Sequence, residues 1–232
     1  MCNKVLVTGA NGMLGQDLCP ILEENNYKVI KTDVDSLDIT DIAKAEQVLS
    51  EQKPDIVIHC AAYTNVDKAE EDYETAHRIN AVGTENLAKV CGDKDITIVY
   101  ISTDYVFGGN SNKKYKPNDD VEPINNYGLT KWQGEQAVRK YCKKYYIART
   151  AWLYGIHGKN FVETMIALAD VKPESACESK TSRAEHNTTA VTHGAKAEEV
   201  EQSSIAQAEE ALAGVKPESA CESKTSRAEH NT

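Results

Sequence analysis

The stretch "LVTGANGMLG", residues 6 to 15, sets the strongest constraint on how this chain can fold. An apolar, β-branched run from Lys4 to Thr8 passes through Gly9, Gly12 and Gly15 into a segment whose apolar members, Leu14, Leu18, Ile21 and Leu22, recur at helical spacing. A buried strand that turns through glycines straight into a helix is the first half of a strand-helix-strand unit. Such units pack as a parallel sheet with helices over its faces. The pattern then repeats. Strands are expected at Lys4 to Thr8, Lys28 to Thr32, Ile56 to Cys60, Thr97 to Ser102 and Tyr145 to Arg149, each short and mostly apolar, as strands buried on both faces must be. The first intervening helix carries Pro20, which should kink it or end it early. A second helix is expected over Ile42, Ala45, Val48 and Leu49, ended by Pro54, a third from about Tyr73 to Val90, and a fourth from about Tyr127 to Cys142. The alternation implies an α/β fold, a doubly wound parallel sheet of the Rossmann type.

The chain divides near residue 170. Residues 1–169 hold the alternating pattern and read as one domain. Residues 170–232 read as a repetitive tail, because "VKPESACESKTSRAEHNT" at 171 to 188 returns letter for letter at 215 to 232. Structural repeats diverge and carry an apolar face for stacking, and this one has none. The tail is expected to be disordered, with one marginal helix over Ala195 to Leu212, and no function is assigned to it. A net charge of −10 offers nothing to neutralise a row of phosphates, which argues against a nucleic-acid partner. The seven cysteines, at 2, 19, 60, 91, 142, 177 and 221, form no C-x-x-C pair, so reduced thiols of a cytoplasmic protein are expected. The amino terminus lacks the regions of a signal peptide, and no stretch approaches the roughly 18 apolar residues of a membrane span.

The glycines point to a ligand. In such a turn one glycine allows the bend, a second lets a pyrophosphate approach the backbone, and the third lets helix and strand pack closely. The free N–H groups at the helix N-terminus and the positive end of the helix dipole then favour an anion, with Asn11, Met13 and Leu14 beside the glycines in the cofactor-binding turn. No Gly-Lys-Ser/Thr follows, which excludes a nucleotide-triphosphate P-loop. Asp33 ends the second expected strand, where a carboxylate accepts hydrogen bonds from an adenosine ribose and repels a 2′-phosphate. This favours NADH over NADPH. Asp33 capping a loop, with Asp35 in its place, is the alternative.

Two later segments carry chemistry. "YISTDYVFGG" places Ser102, Thr103 and Asp104 at the carboxyl end of an apolar strand, above the crevice in which doubly wound sheets bind ligands. In "NNYGLTKWQGE", Tyr127 and Lys131 fall one helical turn apart on one face. An ammonium beside a phenol lowers the tyrosine pKa, so the phenol is expected to give up a proton near neutral pH.

Together "TGANGMLG", "LDITD", "KPDIVIHCAAYTNVDKAE", "INAVGTENLA", "YISTDYVFGG", "YGLTKWQGE" and "RTAWLYG" resemble the dTDP-4-dehydrorhamnose reductases of the extended short-chain dehydrogenase/reductase family, over residues 3 to about 168. The resemblance implies hydride transfer from NADH or NADPH to the C4 keto group of dTDP-4-dehydro-L-rhamnose, giving dTDP-L-rhamnose for cell-surface polysaccharide. It implies that Tyr127 protonates the C4 oxygen, that Lys131 holds the nicotinamide ribose, and that Thr103 hydrogen-bonds the same oxygen. Gly9, Gly12 and Gly15 would take the pyrophosphate, and Asp33, Asp38 and Ile39 the adenosine half. Ala61, Ala62 and Tyr63 would line the cofactor. Thr64, Asn65, Val66, Asp67 and Asp104 would face the substrate, and Trp152 would contact the sugar or its diphosphate, plain core packing being the alternative for Trp152.

The related 4,6-dehydratases carry a second carboxylate after the strand-end Asp. Here Tyr105 follows Asp104, which fits a simple reduction. Neither Cys142 nor His157 has the context of an epimerase pair. Reductases of this kind run beyond residue 232, and their carboxyl-terminal half supplies much of the sugar pocket and, in some members, a Mg2+-assisted homodimer contact. That half is replaced here by the tail. A sheet edge left open, exposed apolar surface and impaired turnover are therefore expected, and a NAD(P)-binding fragment or regulatory subunit of the same fold is the second reading.

Overall fold

The computed structural model describes residues 3–109, 114–158 and 160–170. The expected tail, with its helix over 195–212, lies outside the described residues. Five strands, β1 (Lys4–Thr8), β2 (Lys28–Thr32), β3 (Ile56–His59), β4 (Thr97–Thr103) and β5 (Tyr145–Thr150), form one parallel sheet in the order β2-β1-β3-β4-β5. The chain moves outward from β1 to β2, then crosses back to β3 on the other side of β1. The topological switch point therefore lies between the carboxyl ends of β1 and β3.

Side chains alternate across the sheet and build two cores. Leu6, Val57, Ile98 and Tyr100 face one way, against Leu37 and Ile39 and helices α2 (Ile42–Gln52), α5 (Thr84–Asp93) and α6 (Asn126–Tyr141). Val5, Val7, Ile56, Ile58 and Val99 face the other way, against Leu18, Cys19 and Leu22 of α1 (Met13–Glu24). Val5, Leu6 and Val7 are fully buried, and each such side chain contributes about 1.5–3 kcal/mol to folding. The second face is covered less completely. No residue of β5 is fully buried, and α7 (Phe161–Asp170) exposes Phe161, Val162, Met165, Ile166 and Leu168.

Three segments differ from the sequence expectation. Helix α1 runs four residues past Pro20, to Glu24. Pro20 and Gln16 both lie on the exposed face, where the carbonyl that loses its N–H partner meets water. The third expected helix is three consecutive pieces: α4 (Tyr73–His77), a π-helical turn (Arg78–Gly83) and α5. A short helix, α3 (Val66–Glu71), was not expected. Asn65 starts it by accepting a hydrogen bond from Lys68 N–H.

Candidate active site

The carboxyl ends of β1, β3 and β4 open into a cleft of about 810 Å³, within the range of small-molecule sites. One wall is the glycine turn. Gly9 has φ +66°, and a Cβ there would stand 2.8 Å from the Cα of Ala61, so the turn after β1 lies directly on the segment after β3. A Cβ on Gly15 would stand 2.6 Å from the Cα of Ala10 and closer still to Gly9 O, so the third glycine is required for α1 to pack against its own turn. Gly12 is different. Its Cβ would meet only Gly9 O, at 3.1 Å, and the residue is otherwise open. The first N–H groups of α1 receive no side-chain cap, and Gly12, Met13, Leu14 and Gly15 line the cleft. This is a cradle for an anion. Asp33 closes the turn from β2, its Oδ2 accepting from Asn11 N–H at 3.0 Å and its Oδ1 from Val34 N–H at 2.8 Å. Each oxygen retains a lone pair for a further donor.

The opposite wall is the end of β4 and the start of α6. Asn125 caps α6 by accepting from Gly128 N–H at 2.7 Å, and Glu70 of α3 accepts from Asn126 N–H at 2.7 Å. These contacts set the position of Tyr127, which lines the cleft together with Thr103. Thr103 donates to Asp104 at 3.1 Å and accepts from Tyr105 N–H at 3.2 Å. The Tyr105 ring stands edge-on to Tyr127, with centroids 5.9 Å apart. Lys131, one turn along α6 and 3 % exposed, donates from Nζ to Ile101 O at 2.6 Å and lies 4.2 Å from the Tyr100 ring centroid.

Electrostatics correct one expectation. Burial pushes the Tyr127 phenol up to about 12, opposed by the Thr103 hydrogen bond and reinforced by Asp104 and Tyr105. Lys131 does not lower it, because its ammonium is turned to the Ile101 carbonyl and the Tyr100 ring. Burial also draws Lys131 down to about 7, opposed by Cys60 and Glu135. The phenol is therefore firmly protonated at neutral pH, the state a proton donor needs. Beneath the cleft, His59 bridges Thr8 (2.8 Å) and Thr84 (3.0 Å). Thr84 gives its hydrogen to Asn80 O, so His59 offers Nε2–H to Thr84 and a bare Nδ1 to Thr8. Burial first, and Lys131 second, pull its pKa down to about 3, so it stays neutral.

The family profile described as "RmlD substrate binding domain" matches residues 3–178. The chain belongs to this RmlD family. It is 42% identical over 173 residues to a dTDP-4-keto-6-deoxy-D-glucose reductase of Streptomyces niveus, covering 74% of this chain and 60% of the relative. It is 43% identical over 171 residues to a dTDP-4-dehydrorhamnose reductase of Mycolicibacterium smegmatis, covering 73% and 52%. The crystal structure of a Bacillus anthracis dTDP-4-dehydrorhamnose reductase in complex with NADP superposes with a TM-score of 0.72 at 46% identity, over 75% of this chain and 62% of that one. This RmlD-family chain thus spans 52% to 60% of the length of these two curated relatives.

Most residues singled out in the RmlD-like motifs line the cleft. Gly9, Asn11, Gly12, Met13, Leu14 and Gly15 stand on the anion wall, with Asp33, Asp38 and Ile39 beyond them. Ala61, Ala62, Thr64 and Val66 form the floor, and Thr103, Asp104, Tyr127, Lys131 and Trp152 the far side. Tyr63, Asn65 and Asp67 do not line it. Asn80 holds the Tyr63 backbone from both sides, Tyr63 N–H donating to Oδ1 at 2.8 Å and Nδ2 donating to Tyr63 O at 3.0 Å. Asn65 is turned into its cap, and Asp67 is carried round α3 away from the cleft-facing Val66. Trp152 is 72 % exposed, which removes the core-packing alternative, and its φ of +56° is rare for a bulky side chain. Cys142 donates to Ala88 O in the core and His157 pairs with Asp17 at 3.4 Å, so neither adjoins Tyr127. Arg78, at the start of the π turn, also lines the cleft and was not expected. A helix break that turns one arginine inward leaves no mark on apolar periodicity. Among the described residues no group of three or more His, Cys, Asp or Glu could hold a metal ion. No described helix is long and apolar enough to cross a membrane.

Proposed function

We propose that this chain reduces the C4 keto group of a dTDP-4-keto-6-deoxy sugar, dTDP-4-dehydro-L-rhamnose above all, with a nicotinamide dinucleotide as hydride donor. One observation carries the reading: the glycine cradle and the Thr103–Tyr127–Lys131 group face each other across one cleft at the carboxyl end of the sheet. The relatives named above are reductases of such sugars, and the Bacillus anthracis relative holds NADP.

The residues fit a dinucleotide. The open backbone at Gly12 and the uncapped start of α1 suit its pyrophosphate, and Asp33 and Asp38 suit the adenosine ribose. When bound, the nicotinamide supplies the hydride. Tyr127 donates its proton to the C4 oxygen as charge develops there, and Thr103 hydrogen-bonds the same oxygen, a role of the oxyanion-hole kind. Lys131, seated on the Ile101 carbonyl, would hold the nicotinamide ribose. Tyr105 stands where a dehydratase carries its second carboxylate, which leaves Asp104 as the one carboxylate directly after β4.

The test is oxidation of NADH and NADPH by the purified chain with and without dTDP-4-dehydro-L-rhamnose. Substrate-dependent oxidation supports the reading. Cofactor binding without turnover supports the second one, a NAD(P)-binding unit that does not complete the reaction, which the exposure of Trp152 favours. The choice between cofactors rests on Asp33. Its carboxylate accepts a ribose hydroxyl and repels a 2′-phosphate, so NADH is favoured. Losing a hydrogen bond to a charged acceptor costs about 1.5–3 kcal/mol, so Asp33→Ala is expected to weaken NADH by roughly 10- to 100-fold. NADPH should lose clearly less, since the repulsion goes with the carboxylate. Titration of intrinsic fluorescence with both dinucleotides reads this directly. Equal losses would mean that Asp33 serves only the turn through Asn11.

A further inference from the structure

Glu135 is fully shielded from solvent, yet it is a carboxylate. It lies one turn beyond Lys131 on α6, on the same side of the helix. Its oxygens accept from Ser102 Oγ at 2.6 Å, from Arg149 Nε at 2.8 Å and from Arg149 Nη2 at 2.6 Å, and Arg139 Nη2 stands 3.9 Å away. Ser102 and Arg149 are register partners at the ends of β4 and β5. The remaining arm of Arg149 donates to Pro117 O at 3.1 Å, and its guanidinium lies 4.8 Å from the Phe107 ring centroid. The two-pronged pairing prevents the carboxylate from turning. It also pins α6 to β4 one residue before Thr103.

Stability alone is a poor account of this arrangement. A buried ion pair roughly breaks even against well-packed apolar residues, because both charges must leave water. Its position is more informative. The titratable groups facing Lys131 are His59 on β3, Cys60 after it, Tyr100 on β4 and Glu135 on α6. At neutral pH burial keeps His59 neutral, with a pKa near 3, and the Cys60 thiol protonated, with its pKa pushed up to about 12. The Tyr100 and Tyr127 phenols are likewise pushed up and stay protonated. Among these groups Glu135 alone brings a negative charge.

We propose that Glu135 is a positioning residue acting through Lys131: a fixed negative charge, locked by Arg149 and Ser102, that keeps the Lys131 ammonium in the form able to hold the cofactor ribose. The proposal rests on the role given to Lys131 under the proposed function. Burial draws Lys131 down while Cys60 and Glu135 draw it up, and the balance near 7 leaves its charge sensitive to the loss of one neighbour.

The sign follows. The ammonium is lost as pH rises through the Lys131 pKa, so cofactor affinity and turnover decline on the alkaline side. Glu135→Gln keeps the shape and removes the charge, so this limb should move to lower pH by about one unit. Turnover and dinucleotide affinity of the variant should then be about eightfold below wild type at pH 7.5 and only about twofold below it at pH 6. A merely structural defect would lower both by the same factor at every pH. Lys131 is also followed without activity, by NMR titration of 13Cε-labelled lysine, its signal identified by absence from Lys131→Met. A fall in the titration midpoint of about one unit in Glu135→Gln supports the proposal. An unchanged midpoint overturns it. If Glu135→Gln fails to fold because Arg149 is left unpaired, Glu135→Gln/Arg149→Met is compared with Arg149→Met, which isolates the carboxylate from the cation it pairs with: a lower midpoint in the double variant supports the proposal, and equal midpoints overturn it. A shifted midpoint in a chain that reduces no substrate would leave the electrostatic role standing and remove the reductase reading.

Discussion

Tyr127→Phe is expected to lower substrate-dependent oxidation of the dinucleotide by about 10³-fold, within the range of positioned acid–base groups, while cofactor affinity changes by less than about threefold. The substitution removes one oxygen. The phenyl ring keeps its edge contact with Tyr105, and the α6 cap by Asn125 and Glu70 involves backbone N–H groups that the substitution leaves alone. What is lost is a proton held at the end of β4. Burial raises the phenol to about 12, so it is present as the acid throughout the neutral range and is released only when a stronger base forms beside it. A sugar alkoxide generated by hydride delivery is such a base, whereas the starting ketone is not. The phenol thus acts in the transition state and little in the ground state, which predicts a loss in kcat with KM nearly unchanged. Thr103 remains to hydrogen-bond the oxygen, so a residual rate is expected. Stopped-flow oxidation at saturating substrate, with fluorescence titration of the dinucleotide, measures both quantities. A variant that turns over within threefold of wild type would take the proton-donor role away from Tyr127 and pass it to water or Asp104.

What the amino-acid sequence revealed of this site, and what it concealed, divides along a physical line. Strand positions were legible because Val5 to Val7, Ile56 to Ile58 and Ile98 to Tyr100 are buried on both faces, and that demands short β-branched apolar runs. The cleft was legible at its two ends, through three glycines whose spacing has steric reasons and a tyrosine and lysine set one turn apart. Short-range geometry was not. Helix α3 is too short for a period, and its marks are the Asn65 cap and a Glu70 whose partner lies 56 residues away. The π turn at Arg78–Gly83 is a change of helical pitch inside a continuous apolar pattern, and that change brings Arg78 to the cleft. The direction of the Lys131 ammonium also escaped, because it depends on the Ile101 carbonyl and the Tyr100 ring across the sheet rather than on α6. Pro20 stands on the exposed face of α1, and the helix continues past it to Glu24 rather than ending early.

The glycine turn offers the second large effect, and it separates two meanings of the same residue type. Gly15→Ala would place a methyl group 2.6 Å from the Ala10 Cα and 2.8 Å from the Ala10 carbonyl carbon, both backbone. Neither can yield cheaply. Ala10 N–H is bonded to Thr32 O at 3.0 Å, Gly12 N–H to Gly9 O at 3.0 Å, and Gly9 already rests on Ala61. Helix α1 must therefore tilt away from β1, opening the core around Leu18 and Leu22, at a cost of about 1–3 kcal/mol. The N–H groups that face the anion move with it, and dinucleotide affinity is expected to fall by more than about 100-fold. Gly12→Ala is the control. Its backbone, with φ −74° and ψ 168°, suits any residue, and the nearest atom to the new methyl is Gly9 O at 3.1 Å. The protein should keep its thermal midpoint within about 2 °C and still lose affinity, because the methyl occupies the space through which a pyrophosphate reaches the backbone. Thermal unfolding and dinucleotide titration of the two variants side by side decide the matter. If Gly15→Ala unfolds early and Gly12→Ala does not, while both bind weakly, the third glycine serves the packing of the fold and the second serves the ligand. If Gly12→Ala binds as tightly as wild type, the anion enters by another route and the cradle at the start of α1 is not its seat.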